Sequence, residues 1–147
     1  MLDLEDEANR RVVDYFAARN QRGKPLEEPA YYPPIGQLTT HPDVLEHLWK
    51  KLAGPLPEES RRWVNGVPAV VQDRSGVVLA FGWGTAYALR LPSAELEEAR
   101  VAGLSPVMRW SGGRETDLSA DLGPDWLWGG FKAAEPAWLE TSYRVFG

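Results

Sequence analysis

Large apolar residues recur at every second position through residues 77–91, and a period of two marks the middle of the chain as β-sheet. Three strands are predicted, over residues 67–72, 77–83 and 86–91. Asp73, Arg74, Ser75 and Gly76 supply the first turn, with glycine available for a positive φ. Gly84 and Thr85 fit a two-residue type II′ hairpin, which wants glycine at its first position. The result is a three-stranded antiparallel meander. Strict alternation puts Val77, Leu79, Phe81, Trp83, Tyr87, Leu89 and Leu91 on one face. Val78, Ala80, Gly82, Ala86 and Ala88 form the other, which ends in Arg90. A sheet face open to water carries Thr, Lys, Glu or Arg. This small, uncharged face needs a cover: a helix of the same chain, or a second copy for which these five residues are the candidate self-association face.

The period changes to that of a helix on both sides of the meander. Leu4, Ala8, Val12 and Phe16 recur every four residues, joined by Val13, and predict an amphipathic helix over residues 2–19. It stops in Asn20, Gln21, Arg22 and Gly23. Residues 23–39 form a connector in which Pro25, Pro29, Pro33 and Pro34 surround Tyr31 and Tyr32. Proline fixes φ and removes donors, so this piece should be extended and irregular. Its tyrosine pair should pin it to the domain, or else line a groove. A second helix is predicted with Thr40 as N-cap, Pro42 in its first turn, and Val44, Leu45, Leu48, Trp49 and Leu52 as its stripe. Gly54 and Pro55 end it.

After the meander, Ser93 is the expected N-cap of a helix over residues 94–102, which turns Leu96, Ala99 and Val101 inward and stops at Gly103. A second hairpin over residues 107–111 and 115–119 turns at Gly112 and Gly113. Residues 126–128 form a short strand or turn. The last helix opens at Pro136 and buries Trp138, Leu139, Ser142, Tyr143 and Phe146. The fold expected is α+β: one domain with an antiparallel sheet of about five strands and helices before and after it. Residues 1–22 supply the first helix, residues 23–39 the connector and residues 40–147 the core.

Composition narrows the chemistry. The 147 residues suffice for one core without staples, and no cysteine is present to form a disulfide, a thiolate metal site or a nucleophile. The acidic start lacks the basic residues and apolar run of a signal peptide, and no stretch reaches the roughly 20 apolar residues that span a bilayer. A cytoplasmic location is expected, with no membrane partner. The net charge is −5 and the basic residues are scattered in pairs, which disfavours nucleic acid as a partner.

No catalytic pattern stands out. Gly82, Trp83 and Gly84 lack the spacing of a phosphate loop. His41 and His47 are six residues apart and do not make a metal pair, while Asp117, Asp121 and Asp125 fit turn and cap duty better than an EF-hand. No metal, cofactor or catalytic residue is expected. The stretch of most interest is Asp125-Trp126-Leu127-Trp128, in which alternation puts both tryptophans on one face. They either close the core or, with Trp110 and Asp125, form a platform for a ligand or partner. Three functions are open on these residues. The leading one is a non-catalytic interaction or regulatory module that binds a protein partner or, as a homodimer, itself. The alternative is a small-molecule or carbohydrate-binding domain with a tryptophan-lined pocket. The third is an acid-base enzyme using Glu58, Glu59 or His47.

The order of elements from residue 62 to residue 146 resembles the TfoX N-terminal and YjbR-like group of small domains. The likeness is carried by the meander with its Gly76 turn, the strand closing at Tyr87-Ala88-Leu89-Arg90-Leu91-Pro92, the helix around Ala94-Glu95-Leu96, and Trp138-Leu139-Glu140 in the last helix. The resemblance implies an α+β interaction or regulatory module. Asn65-Gly66-Val67-Pro68 stands where that group carries Met-Phe-Gly-Gly.

Overall fold

The computed structural model describes residues 2–19, 23–32, 40–110, 112–130 and 134–147. The expected helix stop at Asn20–Arg22, the Pro33–Pro34 pair, Ser111 and Phe131 lie outside them. Among the described residues the elements run α1 (Glu7–Ala17), β1 (Glu27–Pro29), α2 (Pro42–Glu46), β2 (Arg61–Val64), β3 (Val67–Val71), β4 (Val78–Trp83) and β5 (Ala86–Arg90). They continue with α3 (Ser93–Val101), β6 (Val107–Arg109), β7 (Glu115–Asp117), α4 (Leu118–Asp121), β8 (Trp126–Gly129) and α5 (Pro136–Val145). A six-stranded antiparallel sheet in the order β1-β2-β3-β4-β5-β8 is the centre of an α+β fold, with β6 and β7 as a separate hairpin. Ser105 bridges Trp128 and ties the approach to that hairpin to the edge strand β8.

The meander β3-β4-β5 forms as expected, with Trp83 paired to Ala86 across Gly84 and Thr85. Gly84 has φ +59°, as a type II′ turn demands. β1, β2 and β8 extend the meander to six strands, while the second hairpin stays outside this sheet. Asn65 (φ +50°) and Gly66 (φ +76°) turn β2 into β3, an Asn-Gly hairpin signal outside the set of strands expected from the sequence.

The two-face assignment needs correction at one point. Val70 pairs with Ala80 but Val71 pairs with Val78, so Leu79 is an extra residue in β4. This bulge turns Leu79 and Ala80 to the same face and reverses the alternation beyond them. Leu79, Ala80, Tyr87, Leu89 and Leu91 pack with α2, α3 and α5. Val78, Phe81, Ala86 and Ala88 pack with α1 and α4, and Trp83 borders that layer. The large residues are thus divided between both sides. Gly82 lies under the start of α2, where an added Cβ would meet Thr40 Cγ2 at 2.9 Å.

Both faces are covered from within the chain. Val78, Ala80, Gly82, Ala86 and Ala88 are all buried, which removes them as a self-association face. On one side α2 continues into a wide π-type turn over His47–Leu52, in which the Ala53 amide donates to the Leu48 carbonyl five residues back. Leu48, Trp49 and Leu52 are all buried in the core there, and Trp49 Nε1 donates to the Ala69 carbonyl at 3.0 Å. His41, not Thr40, caps α2, its Nδ1 accepting from the Asp43 amide. Pro92, not Ser93, precedes the first turn of α3, and Val101 at its end is exposed rather than turned inward, leaving Ala99 as its buried residue.

On the other side α1 begins after Asp6, whose carboxylate accepts from the Ala8 and Asn9 amides. Its inward stripe is Asn9, Val12, Tyr15 and Phe16; Leu4 precedes the helix and is exposed. Asn9 ties the helix to the sheet, donating to the Asp3 and Gly76 carbonyls and accepting from the Val78 amide at 2.9 Å. Tyr31 and Tyr32 pin the connector as expected. Their rings lie 5.3 and 5.7 Å from those of Trp63 and Trp49, and the Tyr31 carbonyl accepts from Trp63 Nε1.

Candidate ligand cleft

The α1 side of the sheet is roofed by aromatic rings, and at one end the roof stops short. Phe16 packs edge-on to Phe81 and stacks on Trp83 with centroids 6.0 Å apart and planes 7° from parallel. Phe81 in turn meets Trp126 and Trp128, and Trp128 meets Trp110 edge-on at 5.6 Å. Trp83 and Trp110, at the outer end of this row, are only partly buried. Between them and the end of α1 opens a cleft of about 620 Å³, bounded by Arg19, Trp83, Gly84, Trp110, Arg114 and Thr116. That volume falls in the range of small-molecule sites, roughly 300–1,000 Å³.

Three elements place these side chains. Trp83 is the last residue of β4 and Gly84 begins the tight turn after it, so the Trp110 ring can close over the turn. A Cβ on Gly84 would meet Trp110 Cζ3 at 3.1 Å. Trp110 ends the β6 side of the second hairpin and its Nε1 donates to Thr116 Oγ1 at 3.1 Å, which fixes the ring across the hairpin. Arg19 follows α1. It donates to the Tyr15 carbonyl, lies over the Tyr15 ring at 3.5 Å and pairs with Asp121 at 3.5 Å. Arg114 stands exposed just after Gly112 and Gly113, while Glu115 beside it is engaged by Arg109 at 3.0 Å.

Tyr15 lines a neighbouring hollow along α1 instead, and its hydroxyl is buried without a hydrogen-bond partner among the described residues. Burial pushes its phenol above the ordinary value of 10, while the Arg19 charge pulls it down. Thr116 eases its ionisation as well, yet does not meet the geometry of a hydrogen bond to it. The phenol therefore stays protonated near neutral pH.

The residues expected to form a platform separate. Trp126 and Trp128 lie on one face, as alternation requires, but both are 1% exposed and belong to the core. Trp110 alone of the three reaches the cleft. Asp125 turns away toward Arg90, 4.0 Å from its Nε, and its carbonyl accepts from the Leu91 amide. Glu58 and Glu59 are exposed beside a different hollow, next to Arg61 and Arg62. His47 packs against the Tyr87 ring and burial lowers its pKa, so neither it nor the glutamates share a site with the tryptophans. Asp117 caps α4, its carboxylate held below the ordinary range by the Ser119 hydroxyl. Among the described residues no cluster of His, Cys, Asp or Glu could hold a metal ion.

Sequence reasoning missed Trp83, Arg19 and Arg114. Trp83 had a usable signal, since a large ring one residue before a hairpin glycine sits at the end of its strand, where cover runs out. Arg114, beside a Gly-Gly turn, carried the ordinary mark of a loop residue with an exposed polar head. Comparison with family models, with curated proteins and with solved structures finds no match to this chain.

Proposed function

We propose that this chain is a non-catalytic binding module that takes a small molecule in the cleft between the end of α1 and the β6–β7 hairpin. One observation carries the reading: two partly buried indole rings meet at a hollow whose rim holds arginine side chains. Concave sites with aromatic walls and a few convergent polar groups are the usual form of ligand pockets. Binding is favoured over catalysis because the one carboxylate at the rim, Glu115, is held by Arg109, and neither histidine lines the cleft.

Tryptophan fluorescence tests it. A ring-bearing ligand should quench or shift emission, and Trp110→Ala should weaken its binding at least tenfold. Gly84→Ala should disturb the same signal, because the new Cβ presses on the Trp110 ring at a positive φ. No response to any sugar, nucleotide or aromatic acid would overturn the proposal.

A protein partner is the second reading, in keeping with the resemblance to TfoX N-terminal and YjbR-like domains. Leu26, Tyr31 and Tyr32 support it: close together in sequence, they are 39%, 50% and 55% exposed. Self-association through them would appear in sedimentation as a dimer at micromolar concentration, and a monomer would remove it. A cytoplasmic location is part of the proposal on the strength of the cysteine-free composition, and fractionation of cells checks it. No helix among the described residues is long and apolar enough to cross a membrane.

A further inference from the structure

We infer that the ligand of the cleft is a small anion carrying a flat ring, an inference that rests on the cleft being a binding site and specifies what it selects. Several charged groups around the cleft are already engaged, and the lining charge left without an ion pair among the described residues is a cation. Glu115, the acceptor at the rim, is held by Arg109 at 3.0 Å. Arg19 is steadied by Asp121 and by the Tyr15 ring and carbonyl, which fixes a cationic fork at the end of α1. Arg114 is exposed and has no carboxylate within 4.0 Å among the described residues.

The Thr116 hydroxyl points the same way. Its Oγ1 already accepts from Trp110 Nε1, so its own hydrogen is left to donate. An unpaired guanidinium with a hydroxyl donor at the same cleft favours a ligand rich in acceptors, and the Arg114 fork matches the paired oxygens of a carboxylate or phosphate. Trp83 and Trp110 add flat apolar walls, which suit a ring better than a chain. The whole chain carries a net charge of −5, so an anion arrives against the overall field and is held locally by Arg114.

Two-dimensional NMR of the full chain, following the indole N–H signals of Trp83 and Trp110, tests the inference with three probes that share one ring. These are 2-naphthoate, 2-naphthyl phosphate and the neutral 2-naphthamide. Both acids should shift the two indole signals and bind at least tenfold more tightly than the amide, and the tighter acid identifies which anion the site prefers. Arg114→Ala should abolish that difference and leave the amide unaffected, whereas Arg114→Lys should retain part of it. Arg114 is exposed, and a matching circular dichroism spectrum establishes that the variant folds. If the amide binds as well as the acids, or Arg114→Ala changes nothing, the anion inference is overturned while the binding cleft stands. If no probe moves either indole signal, the binding reading itself falls, and this inference with it.

Discussion

The two faces of the central sheet are built from the same strands but finished differently. Under α2, α3 and α5 the layer is mainly aliphatic, with Leu48, Leu52, Leu79, Leu89 and Leu139 all at 0% exposure, though Trp49, Trp63, Tyr87 and Trp138 are buried in it too. Beneath α1 and α4 the layer is aromatic, with Tyr15, Phe16, Phe81, Trp126 and Trp128. Three elements close the first face, whereas α1 ends at Ala17 and leaves the last rings of the row, Trp83 and Trp110, without a lid. A large ring at the edge of an aromatic layer can be half in the core and half in a binding site. If the proposed cleft binds a ligand, stability and recognition share the same row of residues on one side of the molecule only.

Charge insertion tests most strongly whether both faces are truly filled. Ala80 faces the aliphatic layer and Ala88 the aromatic one, and both are 0% exposed. Ala80→Glu and Ala88→Glu should each cost several kcal/mol, about 3–5, because each buries an unpaired charge. Both variants should be unfolded in urea titrations at concentrations where the parent is native. A soluble, cooperatively folding Ala88→Glu monomer would mean that α1 does not close the aromatic face.

Asn9→Ala should be milder and confined to one face. It removes the side-chain bonds that hold α1 to Gly76 and Val78, leaving the buried Val78 amide without its acceptor. The expected loss is about 1–3 kcal/mol. Hydrogen exchange should quicken in α1 and at the β3–β4 turn while Trp49 and its helix keep their protection. Equal loosening on both faces would show that the layers do not respond separately.

The smallest effect is one of pH and belongs to the aliphatic face. The Tyr87 hydroxyl donates to the Gly130 carbonyl and accepts from the Ala134 amide. Burial raises its pKa from 10.0 to about 12, against the opposing pull of the Ala134 bond. An acid raised on folding keeps its proton in the native state after the unfolded chain has lost it. Its stabilising contribution is complete below pH 10 and is lost as pH rises from about 10 to about 12. Tyr87→Phe should flatten that loss in thermal melts at alkaline pH. A variant whose melting falls as steeply as the parent's would remove Tyr87 as the source.

Much of the architecture was readable from local signals. The meander, its two turns, the second hairpin, the strand at Trp126 and the helix opening at Pro136 all follow from periodicity and turn chemistry. Strand β2 carries an equally local signal at Asn65-Gly66, though it was not among the expected strands. The bulge at Leu79 has none, because an extra residue in one strand is visible only in its register against the next. One inserted residue was enough to move Phe81 and Trp83 to the opposite face and to dissolve the row of small residues as a unit. The candidate site was legible only at Trp110, since Trp126 and Trp128 carry the same chemistry and differ from it solely in how much of the chain lies over them.

By itself the sequence determined the helices α1, α2, α3 and α5, the meander and the second hairpin in their order, because hydrophobic period, caps and turn residues act over a few neighbouring positions; it did not determine β1, β2 or α4. It also determined that Val78, Ala80, Gly82, Ala86 and Ala88 would be covered rather than open to water, though not on which side each would lie. Only the tertiary structure decided what covers each side and where the cover ends, since that depends on strand register and on where α1 stops relative to a hairpin far along the chain. The cleft exists because of that mismatch in length, a property of packing that no single stretch of the chain contains.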